Sequence, residues 1–148
     1  MQTEPLTDNE ISDFRALARC IIPPNAIYDV PGADDDFIFA DILRSLERDH
    51  DRVRQALAQL ATLSGGSFAA LDAPSRDATA KAFKAAGGAE LAALVRIVLL
   101  CYYRDDRVMR SLGQEPRSPF PKGHVVEQGD WSLLDPVRAR SPFYRRVG

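Results

Sequence analysis

Proline placement divides this chain before any other feature does. A proline inside a helix removes a backbone donor and clashes with the preceding turn, at a cost of about 3 kcal/mol, so helices have to fit between prolines. Five of the ten prolines, Pro116, Pro119, Pro121, Pro136 and Pro142, stand in residues 113–148 beside Gly113, Gly123 and Gly129. That segment is expected to hold no long regular element. Between Pro24 and Pro116 only Pro31 and Pro74 interrupt the chain, which leaves room for helices.

Periodicity fills that room. Thr7-Asp8-Asn9-Glu10 is a capping box, followed by Ile11, Phe14, Leu17, Ala18 and Ile21 at helical spacing and stopped by Pro23-Pro24. A loop bracketed by Pro23-Pro24-Asn25 and Pro31-Gly32 leads to Asp34-Asp35-Asp36, where carboxylates suit the positive end of a helix. The stripe Phe37, Ile38, Asp41, Ile42, Leu46, Val53, Leu57 and Leu60 predicts one amphipathic helix from there to about Ala61, kinked near Asp49-His50. Ser64-Gly65-Gly66-Ser67 ends it, with Phe68 and Leu71 expected to pack under the following turn. Asp72-Ala73-Pro74 opens a shorter helix through Lys84, and Gly87-Gly88 closes it. Ala89 to Tyr103 is the most apolar segment; Leu91, Leu94, Val95, Val98, Leu99 and Tyr102 cover over half its circumference and predict the central helix of a bundle. Asp106 to Leu112 has room for one or two further turns. The expected fold is all-α: a single domain over 1–148, with a bundle of about four helices over 1–112 and a long, extended, irregular tail over 113–148.

With 148 residues, 45% of them hydrophobic and 27% charged, the chain can bury one core. The net charge of −2 and pI near 5.7 argue against nucleic acid or an anionic membrane as partner. Charge is uneven, however: residues 1–103 carry 10 Lys and Arg against 15 Asp and Glu, and residues 104–148 carry 9 against 6. The apolar run Leu94 to Tyr103, broken by Arg96, is too short to span a bilayer. No basic and apolar leader opens the sequence, so a cytoplasmic protein is expected, or a periplasmic one if a partner's leader carries it or its own has been removed. Cys20 and Cys101, far apart and among apolar neighbours, read as two buried free thiols.

Chemistry-bearing patterns are sparse. Glu47-Arg48-Asp49-His50 has the Glu-x-x-His spacing of di-iron bundles, but such a site needs that motif twice, and the other histidine, His124, lies in the proline-rich tail. His50 is therefore expected to be solvated or to cap a helix. Asp34-Asp35-Asp36 lacks the spacing of a calcium loop, and Ser64-Gly65-Gly66-Ser67 lacks the Lys-Ser/Thr of a phosphate loop. Neither cysteine has a histidine close by in sequence, and no G-x-S-x-G occurs. No catalytic, metal or cofactor residue is assigned to this chain.

Phe14-Arg-Ala-Leu-Ala-Arg-Cys-Ile-Ile-Pro-Pro24, the Pro31-Gly32 loop before an acidic helix, Phe68-Ala-Ala-Leu71 and Cys101-Tyr-Tyr-Arg-Asp-Asp-Arg-Val108 occur in that order. Together they resemble the gluconate 2-dehydrogenase subunit 3 family, the small subunits of flavin-dependent sugar dehydrogenases of the glucose-methanol-choline type. The resemblance covers residues 11–108. It implies an all-helical, non-catalytic subunit that binds and stabilises a large FAD-containing subunit, with FAD in that partner. Many members carry a twin-arginine leader, which is missing here, and the tail differs from the Gly-rich ending associated with the gluconate enzymes, which leaves the substrate open. A stand-alone helical interaction or regulatory module is the alternative.

Candidate partner-binding residues follow from composition. Tyr102, Tyr103 and Arg107 belong to the densest polar-aromatic cluster, at the expected exposed end of the central helix; it reads either as a partner contact or as a helix end whose aromatics cover the core while Arg and Asp pair in water. In the tail, Trp131 is the expected principal anchor, with Phe120, Leu134, Asp135 and Phe143 as lesser contacts, because Trp is enriched among interface hot spots and prolines reduce the entropy lost on ordering; the competing reading has Trp131 plug the chain's own bundle.

Overall fold

The computed structural model describes residues 4–118, 120, 122–123 and 125–141. These are mostly helical, with no strand among them, so the fold is all-α as expected. It divides into two compact units, Met1–Pro116 and Arg117–Gly148. The expected bundle of about four helices is a set of six in the first unit.

Helix α1 (Asp8–Ile21) starts on the expected capping box: the Glu10 amide donates to Thr7 Oγ1 at 3.3 Å and the Thr7 amide to Glu10 Oε2 at 2.7 Å. Its inward face carries Phe14, Leu17 and Ala18. Helix α2 (Asp36–Arg44) is capped by Asp35, whose carboxylate accepts from the Phe37 and Ile38 amides at 3.1 and 3.4 Å. The acidic triplet is thus a helix start.

The long second helix of the sequence reading is two helices. A 3-10 turn over Glu47–Asp49 separates α2 from α3 (His50–Ser64), and Glu47 takes a positive φ of 31°. No glycine or proline marks the break, so the hydrophobic period runs across it while the backbone turns. Helix α3 ends at Gly65, in the left-handed conformation at φ 67°, with the Gly66 amide closing on Ala61 O at 3.0 Å. Asp72 caps α4 (Ala73–Ala86) through the Ser75 amide at 2.9 Å. Helix α5 (Ala89–Tyr103) has the bounds read from the sequence, and α6 (Asp106–Ser111) follows from its cap Asp105.

Helix α5 packs against α3, α2 and α6, while α3 also meets α1 and α4. The core joins Phe14, Phe39, Ile42, Val53, Leu57, Leu60, Phe83, Leu94 and Val98, with Phe14 and Phe39 edge to face at 5.5 Å between ring centroids. Phe68 is fully buried, as expected of the turn after α3. Its turn is held from both sides: Asp13 on α1 accepts from the Ser67 hydroxyl and the Ala69 amide, each at 2.8 Å, and Arg76 on α4 donates to the Ala69 and Leu71 carbonyls at 2.8 and 2.7 Å.

In the second unit the expectation of a wholly irregular tail needs correction at one place. Trp131–Leu134 forms a 3-10 turn that runs into a short helix α7 (Asp135–Arg138). Asp130 caps it, accepting from the Ser132 amide at 3.0 Å, and Pro136 sits in the first turn, where its missing N–H costs nothing.

Candidate partner-binding surface

Helix α5 is apolar on two sides. Ala93, Leu94, Ile97, Val98, Cys101 and Tyr102 form the inward stripe. Ala92, Val95, Leu99, Leu100 and Tyr103 recur at the complementary helical positions and, with Arg96, line a shallow outward groove of about 610 Å³. Leu100 and Tyr103 are each about half exposed and Leu99 is 38% exposed. Val95 and Leu99, expected among the core positions of the central helix, belong to the outward stripe. A helix apolar all round is normally buried all round, and the bundle covers only part of this one. Arg96 at the edge of the groove pairs with Asp49, a mostly buried carboxylate on the turn between α2 and α3.

Beyond the end of α5 lies a corner of arginines and aspartates. Arg107 belongs to α6 rather than to the exposed end of the central helix, and it serves as a clamp. Its guanidinium donates to both oxygens of Asp35 at 2.7 and 3.2 Å, and to both oxygens of Asp105 at 3.0 Å. The Arg107 hydrogen bond holds the Asp35 carboxyl below its ordinary range. Arg104 likewise donates to Asp41 at 2.7 Å and lowers that carboxyl. One residue thereby ties α6 to the cap of α2, and the next ties the end of α5 to the middle of α2. Phe37, expected on the core stripe, is 77% exposed with the Arg107 guanidinium 5.9 Å from its ring centroid. A cleft of about 450 Å³ opens here between Phe37, Asp41, Arg104 and Arg107.

The sequence-predicted contact residues separate accordingly. Tyr102 is 4% exposed and its hydroxyl donates to Pro31 O at 3.1 Å, so it is a core residue that fastens the loop before α2, not a contact residue. Tyr103, one position on, faces out, its ring edge to face with that of Tyr102. Phe120, Trp131, Leu134 and Asp135 are exposed residues of the second unit; Phe143 lies outside the described residues. Asp13 and Asp49, the two buried carboxylates among the described residues, carry no mark in the sequence because acids at helical spacing read as a solvated face.

Two further expectations change. Of the two free thiols only Cys101 is buried; Cys20 is exposed. Burial pushes the Cys101 thiol above its ordinary pKa, away from a reactive thiolate. His50, expected to be solvated or capping, has a side chain only 13% exposed, with Nδ1 3.6 Å from Asp51. Glu47 opens the 3-10 turn and His50 opens α3 directly after it. Among the described residues no three His, Cys, Asp or Glu side chains gather into a metal-holding group, and no single helix is long and apolar enough to cross a membrane.

No family model matches the chain. No curated protein matches it, and no solved structure does. The family resemblance accordingly stands on the four short motifs quoted above.

Proposed function

We propose that this chain is a non-catalytic small subunit that docks on a larger protein, and that the larger protein is an FAD-containing sugar or glycoside dehydrogenase of the glucose-methanol-choline type. The observation that carries docking is the outward stripe of α5. Leucines and a tyrosine at half exposure, in a groove with a single charged residue at its edge, match the apolar centre and polar rim of a protein interface. The family motifs of residues 11–108 supply the identity of the partner. In that assembly the flavin of the large subunit takes hydride from the substrate carbinol carbon, and this chain contributes binding area and stability. Trp131, Leu134 and Asp135 of the tail, presented on and beside a capped helical turn, are the proposed second contact, with Phe120 nearby in sequence.

The experiment is co-expression of the full chain with the glucose-methanol-choline-type flavoprotein of the same genome, followed by purification through a tag on this chain. The expected result is a stoichiometric complex with the absorption bands of oxidised flavin, lost when the chain carries Leu100→Glu and Tyr103→Glu. A chain that purifies alone and monodisperse, with no flavoprotein bound, overturns the reading.

A further inference from the structure

The two buried carboxylates of the bundle are neutralised differently. Asp49, 7% exposed, pairs with Arg96. Asp13 on α1, 6% exposed, has no cationic partner among the described residues. Its Oδ1 takes both hydrogen bonds that hold the turn after α3, from the Ser67 hydroxyl and the Ala69 amide at 2.8 Å each, and Oδ2 accepts from no donor among those residues. That turn needs one acceptor oxygen, which a neutral asparagine would also supply. The negative charge is surplus to it, and a buried charge without a counter-charge is costly.

This carboxylate lines a cleft. Asp13 and Glu10 of α1, Leu57, Ala58 and Ala61 of α3, and Gly66 of the turn border about 340 Å³, a volume in the range of small-ligand sites. Glu10 is already committed: Oε1 takes the Arg54 Nε–H at 3.1 Å, and Oε2 takes the Thr7 amide and hydroxyl at 2.7 and 3.0 Å. Asp13 Oδ2 is therefore the carboxylate oxygen left for a ligand, and the α3 side of the cleft offers only alkyl carbon.

We infer that this cleft binds a primary alkylammonium group, with the ammonium on Asp13 Oδ2 and the alkyl chain along Leu57, Ala58 and Ala61. The inference does not rest on the subunit reading above. Other cations fit the site less well. A hard metal ion needs several oxygen ligands, and no three acids or histidines gather here. A guanidinium favours two parallel hydrogen bonds, one to each carboxylate oxygen, and Oδ1 is already filled by two donors. An ammonium is a compact point charge that a single oxygen can receive. The group can belong to a small free amine or to a lysine side chain, whose stem is the same four-carbon chain.

The test is titration of the full chain with butylammonium chloride at constant ionic strength, followed by calorimetry and by the amide resonances of Ser67 and Ala69, with butanol as the uncharged control. Saturable binding of butylammonium that shifts both resonances is expected, with none of butanol. Asp13→Asn keeps an acceptor for the turn, so the chain stays folded while affinity falls by about tenfold or more. Ala58→Leu, at an exposed position of α3 where leucine suits a helix, fills the cleft and is expected to abolish binding. Where Asp13→Asn melts early, Ala58→Leu carries the decision alone. Acetyl-lysine methylamide, blocked at its α-amine, distinguishes the sources: binding as tight as butylammonium assigns the group to a lysine side chain, and weaker binding assigns it to a free amine. No saturable binding of either amine, undiminished binding by a folded Asp13→Asn chain, unchanged binding by Ala58→Leu, or tighter binding of propylguanidinium overturns the inference.

Discussion

The inward and outward stripes of α5 are built from the same residue types, and they meet different surroundings. Inward, Leu94 and Val98 are fully buried against α3 and α2; outward, Leu99 and Leu100 stand half in solvent on the same helix. Hydrophobic periodicity registers both stripes and cannot tell them apart, because it reports that a face is apolar and not what covers it. The difference lies in the neighbours. The inner stripe has partners in this chain, and the outer stripe is proposed to find them in another.

The largest expected effect belongs to the inner stripe. Leu94→Ala removes a fully buried side chain of α5, the helix that packs against α3, and is expected to lower stability by about 3 kcal/mol, read from the urea midpoint of the isolated chain. A loss below about 1 kcal/mol, the size usual for a surface change, would show that α5 is not the centre of the core. Next comes Asp13→Ala, which leaves the Ala69 amide and Ser67 hydroxyl without their acceptor beneath a fully buried Phe68. It is expected to cost about 2 kcal/mol, with Asp13→Asn costing less because an acceptor oxygen remains.

Arg107→Ala tests the corner where the bundle meets the proposed interface. Both partners are partly exposed, the Arg107 side chain 41% and Asp35 23%, so screening limits the loss to about 1 kcal/mol at neutral pH. The dependence on pH has a definite sign. Asp35 is held below its ordinary value by Arg107, so the contribution is complete above the unfolded aspartate pKa of about 3.9 and disappears as pH falls through the lowered folded value. The gap in melting temperature between wild type and Arg107→Ala should be constant near neutrality and narrow below about pH 4. A gap that widens in acid would mean that the pair does not contribute in its ionised form.

Much of the helical scaffold was legible because it is written in local chemistry. Thr7 with Glu10, Asp72 ahead of Pro74, Gly65 after α3 and the Gly87-Gly88 pair fix helix ends through backbone donors and acceptors within a few residues. What escaped depends on contacts distant in sequence. The break at Glu47–Asp49 has no breaker residue, and Asp49 in it pairs with Arg96 on α5. Tyr102 and Tyr103 are adjacent and chemically alike; only a carbonyl at Pro31 separates the core tyrosine from the exposed one. The surface was legible only as a surplus, since α5 has more apolar residues than one core face can use.

The smallest expected stability effect comes from the outer stripe, and it carries the most about function. Leu99→Gln with Leu100→Gln keeps helix propensity nearly constant, since Gln ranks beside Leu, and replaces two exposed apolar side chains with polar ones. The stability of the isolated chain should change by no more than about 0.5 kcal/mol, and its solubility should rise as the patch is lost. Affinity for the flavoprotein should fall with it, because the desolvated apolar centre of an interface contributes more than its rim. A loss of several kcal/mol in the isolated chain would instead place Leu99 and Leu100 in this chain's own core and erase the distinction between the two stripes. Unchanged stability with unchanged capture would leave the outer stripe free of any partner, and the docking surface would then have to be sought at the arginine corner or in the tail.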